Sequence, residues 1–542
     1  MNMDPIATAS RGKRTTITAA IFLILTAIIS LVLSHHKLMS QDEFFVLQTD
    51  NAATISQLIH IQRTAPISLD PLTYHLLAHA SMRVFGIHAF TLRLPSFLGY
   101  LLMQVCLFVF VRRIAGDRAA IFALAFPALT ATLLYSAEAR PYGLLLGLYA
   151  LTLVAWQSAI HRPTHLSFRN AVEESASAPT EIVGTANRWP SLVLLTLSIA
   201  LTLNAHYFGI LLLIPLCAAE LARTFHRRRI DFPVVAAILL GMAGIVFALP
   251  FQSAAAEFRE HYYNGGTVGL RAISQSYRSL FVDYTHTSLL AQRILAILFV
   301  LCALALIAAC VRRYRSGTLP LPFPESVFIF TLAALPFFGF LLARFVTHSI
   351  EVRYVLGAII GITILLAAVL APTLRRSTNY ALALVLLFFA ILTAGLLRID
   401  AASRDSDEIR ASLILSPQQK AALLASPTQL LYIQDMGHFE VASYYEPDLI
   451  VASHMALLYS RDEELRWDGH DTVSLTAMHM RDFTGFTIVP WDRLRAQPGP
   501  HILILMHSGW DWTDQALAES HAEITPLGPA MGGDAVSVTF QR

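Results

Sequence analysis

The chain has 542 residues, of which 55% are hydrophobic and only 14% charged, with a mean hydropathy of +0.56. A soluble domain carries about 25% charged residues, so a chain this long and this poor in charge cannot clothe a globular surface. Composition excludes a soluble enzyme, a disordered chain and a nucleic-acid binder, and 39 basic against 37 acidic residues imply no polyanionic partner.

Apolar runs long enough to cross a hydrocarbon layer of roughly 30 Å fall near 15–33, 92–111, 119–137, 141–160, 189–205, 207–224, 233–253, 288–311, 325–343, 354–374 and 379–397. They predict an α-helical polytopic membrane protein with about eleven transmembrane helices. The first run is too long for a signal-peptide core and is read as a retained helix. The break between 189–205 and 207–224 is the shortest, resting on Asn204 and His206. Cys106, Cys217, Cys302 and Cys310 all sit in apolar runs, without disulfide or metal-ligand spacing.

Basic residues gather in alternate loops: Arg11, Lys13 and Arg14; Arg112, Arg113 and Arg118; Arg162, Arg169 and Arg188; Arg223 with Arg227, Arg228 and Arg229; Arg312, Arg313 and Arg315; Arg375 and Arg376. By the positive-inside rule these loops and the N-terminus face the cytoplasm of a cytoplasmic (inner) membrane protein. The opposite loops hold Asp42, Glu43, Asp70, Glu138 and Glu351. Residues 1–398 thus read as the membrane domain. Residues 399–542 read as a small extracytoplasmic α/β domain, with strand-like runs at 429–434, 449–453, 501–507 and 536–540. Segment 161–188, rich in Ser, Thr, Ala and Pro, reads as a cytoplasmic loop.

The first outer loop, 34–91, is long for a connection. It opens on Asp42-Glu43 and contains two amphipathic stretches, 51–62 and 71–85, of the kind that lie in the membrane interface. Three further clusters fall on the same face: Tyr135 to Tyr142, containing Glu138 and Arg140; Asn204-Ala-His206-Tyr207; and His348 to Tyr354, containing Glu351 and Arg353. Each has an ordinary structural reading when taken alone. Glu138 and Arg140 suit a surface ion pair, a lone interfacial histidine is more often structural than a ligand, and Arg353 suits a snorkelling residue. Four clusters on one face favour a shared site.

Together these residues resemble the C-type, polyprenyl-phosphate-dependent integral-membrane glycosyltransferases, in the bacterial branch related to protein O-mannosyltransferases and lipid A aminoarabinose transferases. The resemblance spans about 15–360 and rests on order and spacing. Gln41-Asp42-Glu43 matches an acidic pair in the first outer loop. Asp70 to Leu77, Met82 to Gly86 and Leu92-Arg93-Leu94-Pro95-Ser96 match the segments that follow it. Tyr135 to Tyr142 matches a glutamate-alanine-arginine-x-tyrosine motif, and His206-Tyr207-Phe208 and Arg353-Tyr354 match later outer motifs. Where the family often has two prolines, this chain has Asp70-Pro71, so Asp70 is either a site residue or a helix cap. In the tail, Tyr444-Tyr445-Glu446-Pro447 resembles a segment of family tails.

The resemblance implies a polyprenyl-phosphate sugar donor, the bilayer as surroundings, and a glycan, lipid or protein acceptor. Displacement at the anomeric carbon needs a base for the acceptor hydroxyl, and Asp42 is the choice, with inversion expected. The leaving phosphate needs fixed positive charge or a metal. Arg140 and Arg353 suit it, because guanidinium groups match phosphate geometry. Glu43 would assist by positioning an arginine or holding a divalent ion. Glu138 would orient Arg140, and His206 is a candidate phosphate contact or metal ligand. Asp70, Tyr74, Tyr142, Tyr207 and Tyr354 complete the expected substrate-binding set. A transporter would place charge at helix centres, which here are nearly free of it. A carrier-lipid polysaccharide polymerase or ligase would also work from the outer face, and a silent membrane scaffold with a sensing tail would need no site at all. Trp510 and Trp512 suit either sugar stacking or core packing.

Overall fold

The structure, a computed structural model, describes residues 5–161, 188–259, 261, 268–282, 289–348, 350–413, 430–445, 454–507 and 511–541. The loop read at 161–188, the strand at 449–453, Glu446-Pro447 and Trp510 fall wholly or almost wholly outside them.

The chain opens with α1 (Pro5–His36), then three short helices, α2 (Gln41–Asp50), α3 (Ile55–Thr64) and α4 (Leu72–Phe85). Next come α5 (Ala89–Ala115), α6 (Asp117–Ala125), α7 (Tyr142–Ile160), α8 (Trp189–Ala205), α9 (Leu213–Arg227), α10 (Phe232–Ala243), α11 (Leu249–Ala255), α12 (Arg271–Ser279) and α13 (Leu289–Arg315). The helical part closes with α14 (Phe323–Ala333), α15 (Leu335–Leu342), α16 (Ala358–Arg376) and α17 (Tyr380–Leu413).

Several of these helices are apolar on both faces. On α1, Phe22, Leu25, Ile29 and Leu33 are buried, while Ile17, Ile21, Ile24 and Ile28 are exposed. An apolar outer face on a helix that is already packed inside marks a helix made for lipid.

Eight described helices are long and apolar enough to cross a membrane. Two bent pairs, Asp117–Leu129 with Ala131–Ala137 (74°) and Phe323–Ala333 with Leu335–Thr347 (54°), raise this to ten. The expected count of about eleven is therefore not reached by length and composition, because the run at 189–205 forms a helix of only 17 residues. The first bend falls at Thr130, whose backbone is extended. The first bend puts irregular backbone inside the protein, since Thr130 is buried, and there it can be satisfied.

The centre of the bundle is the α5–α7 contact, made possible by missing side chains. A Cβ on Gly99 would strike the Leu144 backbone, one on Gly143 the Ser96 carbonyl, and one on Gly147 the Gly99 carbonyl. Small residues let membrane helices approach to backbone contact. The approach also aligns the Ser96 hydroxyl to donate to the Arg140 carbonyl. Gly147→Val should separate the two helices and lower the yield of monodisperse protein in size-exclusion chromatography; an unchanged profile would contradict the close-packing argument.

The change of character expected at 398 lies inside α17, which continues unbroken to Leu413. Beyond it come β1 (Leu431–Ile433), α18 (Met436–Tyr445), β2 (Met455–Tyr459), α19 (Arg461–Trp467), α20 (Thr472–Arg481), β3 (Ile488–Pro490), α21 (Trp491–Arg495), β4 (His501–Leu505), α22 (Thr513–Glu519), β5 (Glu523–Ala530) and β6 (Gly533–Thr539). They form one sheet of order β3-β2-β1-β4-β6-β5. The first four strands in that order pair in parallel, and β6 and β5 add an antiparallel hairpin. β2, β3 and β5 fall outside the expected runs and are additions to them. Trp512 is buried edge-on to Trp491 at 5.4 Å, which is core packing.

Candidate active site

The site starts at the N-terminus of α2. Asp42 and Glu43 occupy its first turn, where the helix dipole favours anions. Consecutive helical residues point about 100° apart, so the two carboxylates diverge.

Glu43 turns inward and is fully buried. Its Oε1 accepts from Arg93 Nε at 2.7 Å and from the Ala139 N–H at 2.6 Å; its Oε2 accepts from Arg93 Nη2 at 3.0 Å and the Ser40 N–H at 3.0 Å. Burial alone would raise this carboxyl, but Arg93 and Lys37 outweigh it and bring Glu43 down to about 2. Arg93, also fully buried, donates further to the carbonyls of Ser34 (2.6 Å), Lys37 (3.0 Å) and Leu38 (3.1 Å). This buried pair joins the end of α1, the start of α2, α5 and the 138–140 segment. Glu43 has no free oxygen for a metal ion. Among the described residues no group of three or more His, Cys, Asp or Glu is placed to hold one.

Asp42 turns into a cleft. Its Oδ2 accepts from Arg140 Nη1 at 2.9 Å and from Arg353 Nη1 at 3.0 Å. Burial pushes the Asp42 carboxyl up; Arg140 and then Arg353 overcome this and hold it below the usual carboxylate range. Arg140 Nη2 lies 3.5 Å from Asp70 Oδ2, and Asp70 Oδ1 lies 3.4 Å from His206 Nε2. Asp70 makes no cap on α4, whose N-cap is Pro71; it faces the arginine and the histidine.

His206 Nδ1 accepts from the Phe208 N–H at 3.0 Å, which leaves the ring proton on Nε2, toward Asp70. Burial, helped by Arg140 and Arg353 against Asp70, drives the imidazole down to about 4, so it is neutral at pH 7. With its proton on the Asp70 side and its other nitrogen occupied, His206 offers no lone pair to a metal.

Aromatic rings floor the cluster. Arg140 and Arg353 lie 5.6 and 5.9 Å from the Tyr142 ring centre, within cation–π range. Phe208 stacks on Tyr354 at 4.0 Å, and Tyr354 lies 5.6 Å from His206. The Nε–H groups of Arg140 and Arg353 are buried and have no hydrogen-bond acceptor among the described residues.

Five segments separated by up to 311 positions thus meet: Asp42, Asp70, Arg140 with Tyr142, His206, and Arg353 with Tyr354. Three expected residues have other positions. Tyr74 is fully buried and donates to the Leu92 carbonyl at 2.9 Å, locking α4 on α5. Tyr207 opens the short turn after His206, and it is Phe208 that stacks on Tyr354. Glu138 is half-buried and pairs with no described residue; it acts on Arg140 only through its field.

Sequence reasoning did not single out Arg93 as a site-building residue, although a cation inside the apolar stretch Leu92–Leu94 is itself a signal. The buried Asp50–His75 pair (2.7 Å), which ties α2 to α4, gave no such signal.

Residues 70–168 match the family of dolichyl-phosphate-mannose-protein mannosyltransferases. No curated protein matches the sequence. Over 98% of both chains, the structure superposes on ArnT from Cupriavidus metallidurans in the apo state, at 14% identity and a TM-score of 0.56. The chain has the ArnT fold. ArnT bound to undecaprenyl phosphate gives the same result, with a TM-score of 0.57 at 12% identity over 96% of this chain and 97% of that one. The family match lies within the stretch on which the sequence resemblance rests, and the ArnT fold accounts for helices and tail together. Both support the resemblance to C-type membrane glycosyltransferases.

Proposed function

We propose that the chain transfers a sugar from a polyprenyl-phosphate carrier to an acceptor hydroxyl at the outer face of the cytoplasmic membrane. In this reading residues 1–398 are the membrane domain, the N-terminus is cytoplasmic, and residues 399–542 lie outside. The carrying observation is the pair of buried guanidinium Nε–H groups, on Arg140 and Arg353, with no acceptor among the described residues. Buried donors of this kind are costly unless a ligand completes them, and a phosphate has the oxygens to do so. That the similar ArnT structure contains undecaprenyl phosphate, and that the matched family is named for a dolichyl-phosphate sugar, supports a polyprenyl phosphate as that ligand.

Asp42 is the proposed base, and its pairing suggests how it is switched. Two arginines share one oxygen of Asp42, which makes it a weak base. A carrier phosphate drawing on the same arginines weakens their hold and raises the proton affinity of Asp42. The base is strengthened when the donor is in place. Displacement by the deprotonated hydroxyl then proceeds with inversion, and the arginines stabilise the leaving phosphate. Asp70 and neutral His206 hold Arg140 from its other side, and no step is routed through a metal.

Undecaprenyl phosphate titrated into the full-length protein in nanodiscs tests this. Arg140→Ala and Arg353→Ala should each weaken binding about tenfold or more, with lysine restoring only part. Arg353→Ala should also move the acid limb of the transfer rate to higher pH, since Asp42 loses a cation that lowers it. Wild-type affinity in both variants would remove the arginines from the carrier site.

A further inference from the structure

The C-terminal sheet contains a topological switch. Strand β1 lies between β2 and β4, so the chain leaves it to one side and returns on the other. In open α/β sheets, ligands bind beyond the carboxyl ends of the strands at such a point. Here that end leads through Gln434 and Asp435 into α18, and α18 packs on α2. Tyr444 and Tyr445 meet Phe44 edge-on at 5.8 and 6.5 Å, and the Tyr445 hydroxyl accepts from the Met39 N–H at 3.0 Å. A Cβ on Gly437 would sit 3.7 Å from Gln41 Oε1. The switch point therefore opens onto the first turn of α2, which bears Asp42.

On α18, between Gly437 and Tyr444, lies Glu440. It is fully buried, and neither carboxyl oxygen has a hydrogen-bond partner among the described residues. Burial, and then the charges of Asp42 and Asp435, push its carboxyl well up, toward the protonated form, which can both donate and accept. Asp435 is fixed by His438, whose N–H donates to Oδ1 at 2.7 Å and whose Nδ1 lies 2.9 Å from it. None of the arginines of the carrier site pairs with Glu440. A buried carboxyl with no partner weakens the fold, yet this one stands close enough to Asp42 to feel its charge.

We propose that Glu440, with Asp435, forms an acceptor subsite contributed by the C-terminal domain, and that it takes a neutral, hydroxyl-rich glycan end. A carboxylic acid matches a sugar hydroxyl as both donor and acceptor. Asp42 and Asp435 beside it repel a phosphorylated group. The inference rests on the glycosyltransferase reading of the same cleft and names its acceptor class.

Full-length protein in nanodiscs, loaded with undecaprenyl phosphate, is probed by saturation-transfer NMR with methyl α-mannopyranoside and with its 6-phosphate. The neutral glycoside should give the stronger signal. Glu440→Leu should cut that signal about fivefold or more, and Glu440→Gln should retain part of it. Both variants should bind undecaprenyl phosphate like the wild type. Glu440→Leu should raise the thermal midpoint, because it removes a buried carboxyl that has no hydrogen-bond partner among the described residues. An unchanged glycoside signal in Glu440→Leu, a stronger signal from the phosphorylated probe, or a lowered midpoint would each overturn the acceptor subsite while leaving the carrier site standing. Failure of the wild-type protein to bind undecaprenyl phosphate would instead overturn the glycosyltransferase reading and this inference with it.

Discussion

Asp42→Asn should lower the transfer rate by about a thousandfold, within the range for loss of a general base, while leaving the protein folded. Asparagine is nearly isosteric and still accepts from Arg140 and Arg353, so the cleft keeps its shape. Carrier binding should hold or tighten, because the phosphate no longer competes with a carboxylate for the two guanidinium groups. The combination matters: lost turnover with retained undecaprenyl phosphate affinity separates a base from a structural anchor. Sugar transfer at the wild-type rate would remove Asp42 from the mechanism. The same charges set the acid stability. A carboxyl held below its ordinary value stabilises the fold fully above that ordinary value, and the contribution is lost as pH falls through the folded one. For Asp42 this loss begins near 3.8, and for Glu43 it runs from about 4.5 down to about 2. His206, moved from 6.5 down to about 4, adds a comparable loss across that interval. Stability measured from pH 8 to 7 should therefore be flat with respect to these three groups.

The second large effect belongs to Glu43 and Arg93. Either residue replaced alone by alanine should cost about 3–5 kcal/mol, because the partner is left charged, buried and unpaired. Arg93→Lys should fare little better, since one ammonium cannot reach three carbonyls and both carboxylate oxygens as the planar fork does. The double variant Glu43→Leu with Arg93→Leu should recover a substantial part of the loss, giving a strong coupling in a double-mutant cycle. Titration with SDS of the purified protein reads this out. Additive single effects would mean that the two side chains do not act as a unit. The pair touches no proposed substrate, yet it sets where Asp42 and Arg140 stand: Glu43 follows one along the helix and accepts from the backbone next to the other.

Different parts of the site were legible to different degrees. Asp42, Arg140, His206 and Arg353 stand out in the sequence because a charged or polar residue at the end of an apolar run has few ordinary uses. Their order along the chain also resembles that of a known family. The division of labour between Asp42 and Glu43 was not legible. Two adjacent acids look alike in a sequence, and only the neighbours they turn toward make one a cleft residue and the other a core residue. Tyr74 shows the same limit, since a tyrosine near a proline could face a substrate or, as here, a carbonyl of the next helix. Glu440 lies far along the chain from Asp42, in a helix whose sequence, Met436 to Tyr445, looks like that of any surface helix. The short helix at 189–205 and the two bends escaped the span count because hydropathy reports how apolar a segment is, not whether its backbone runs straight.

From the amino-acid order alone came the membrane class, the approximate run of helices, the α/β tail and the clusters in which polar residues collect. These follow from local quantities, apolar length and periodicity, which each segment carries by itself. Only the tertiary structure decided which acid meets the arginines, that Asp70 joins Arg140 to His206, and that the tail sets a carboxyl with no hydrogen-bond partner among the described residues within the field of Asp42. Those outcomes depend on distances between segments far apart in the chain. Such distances are set by how closely helices can approach, here by three glycines between α5 and α7, and by which buried charge finds a partner.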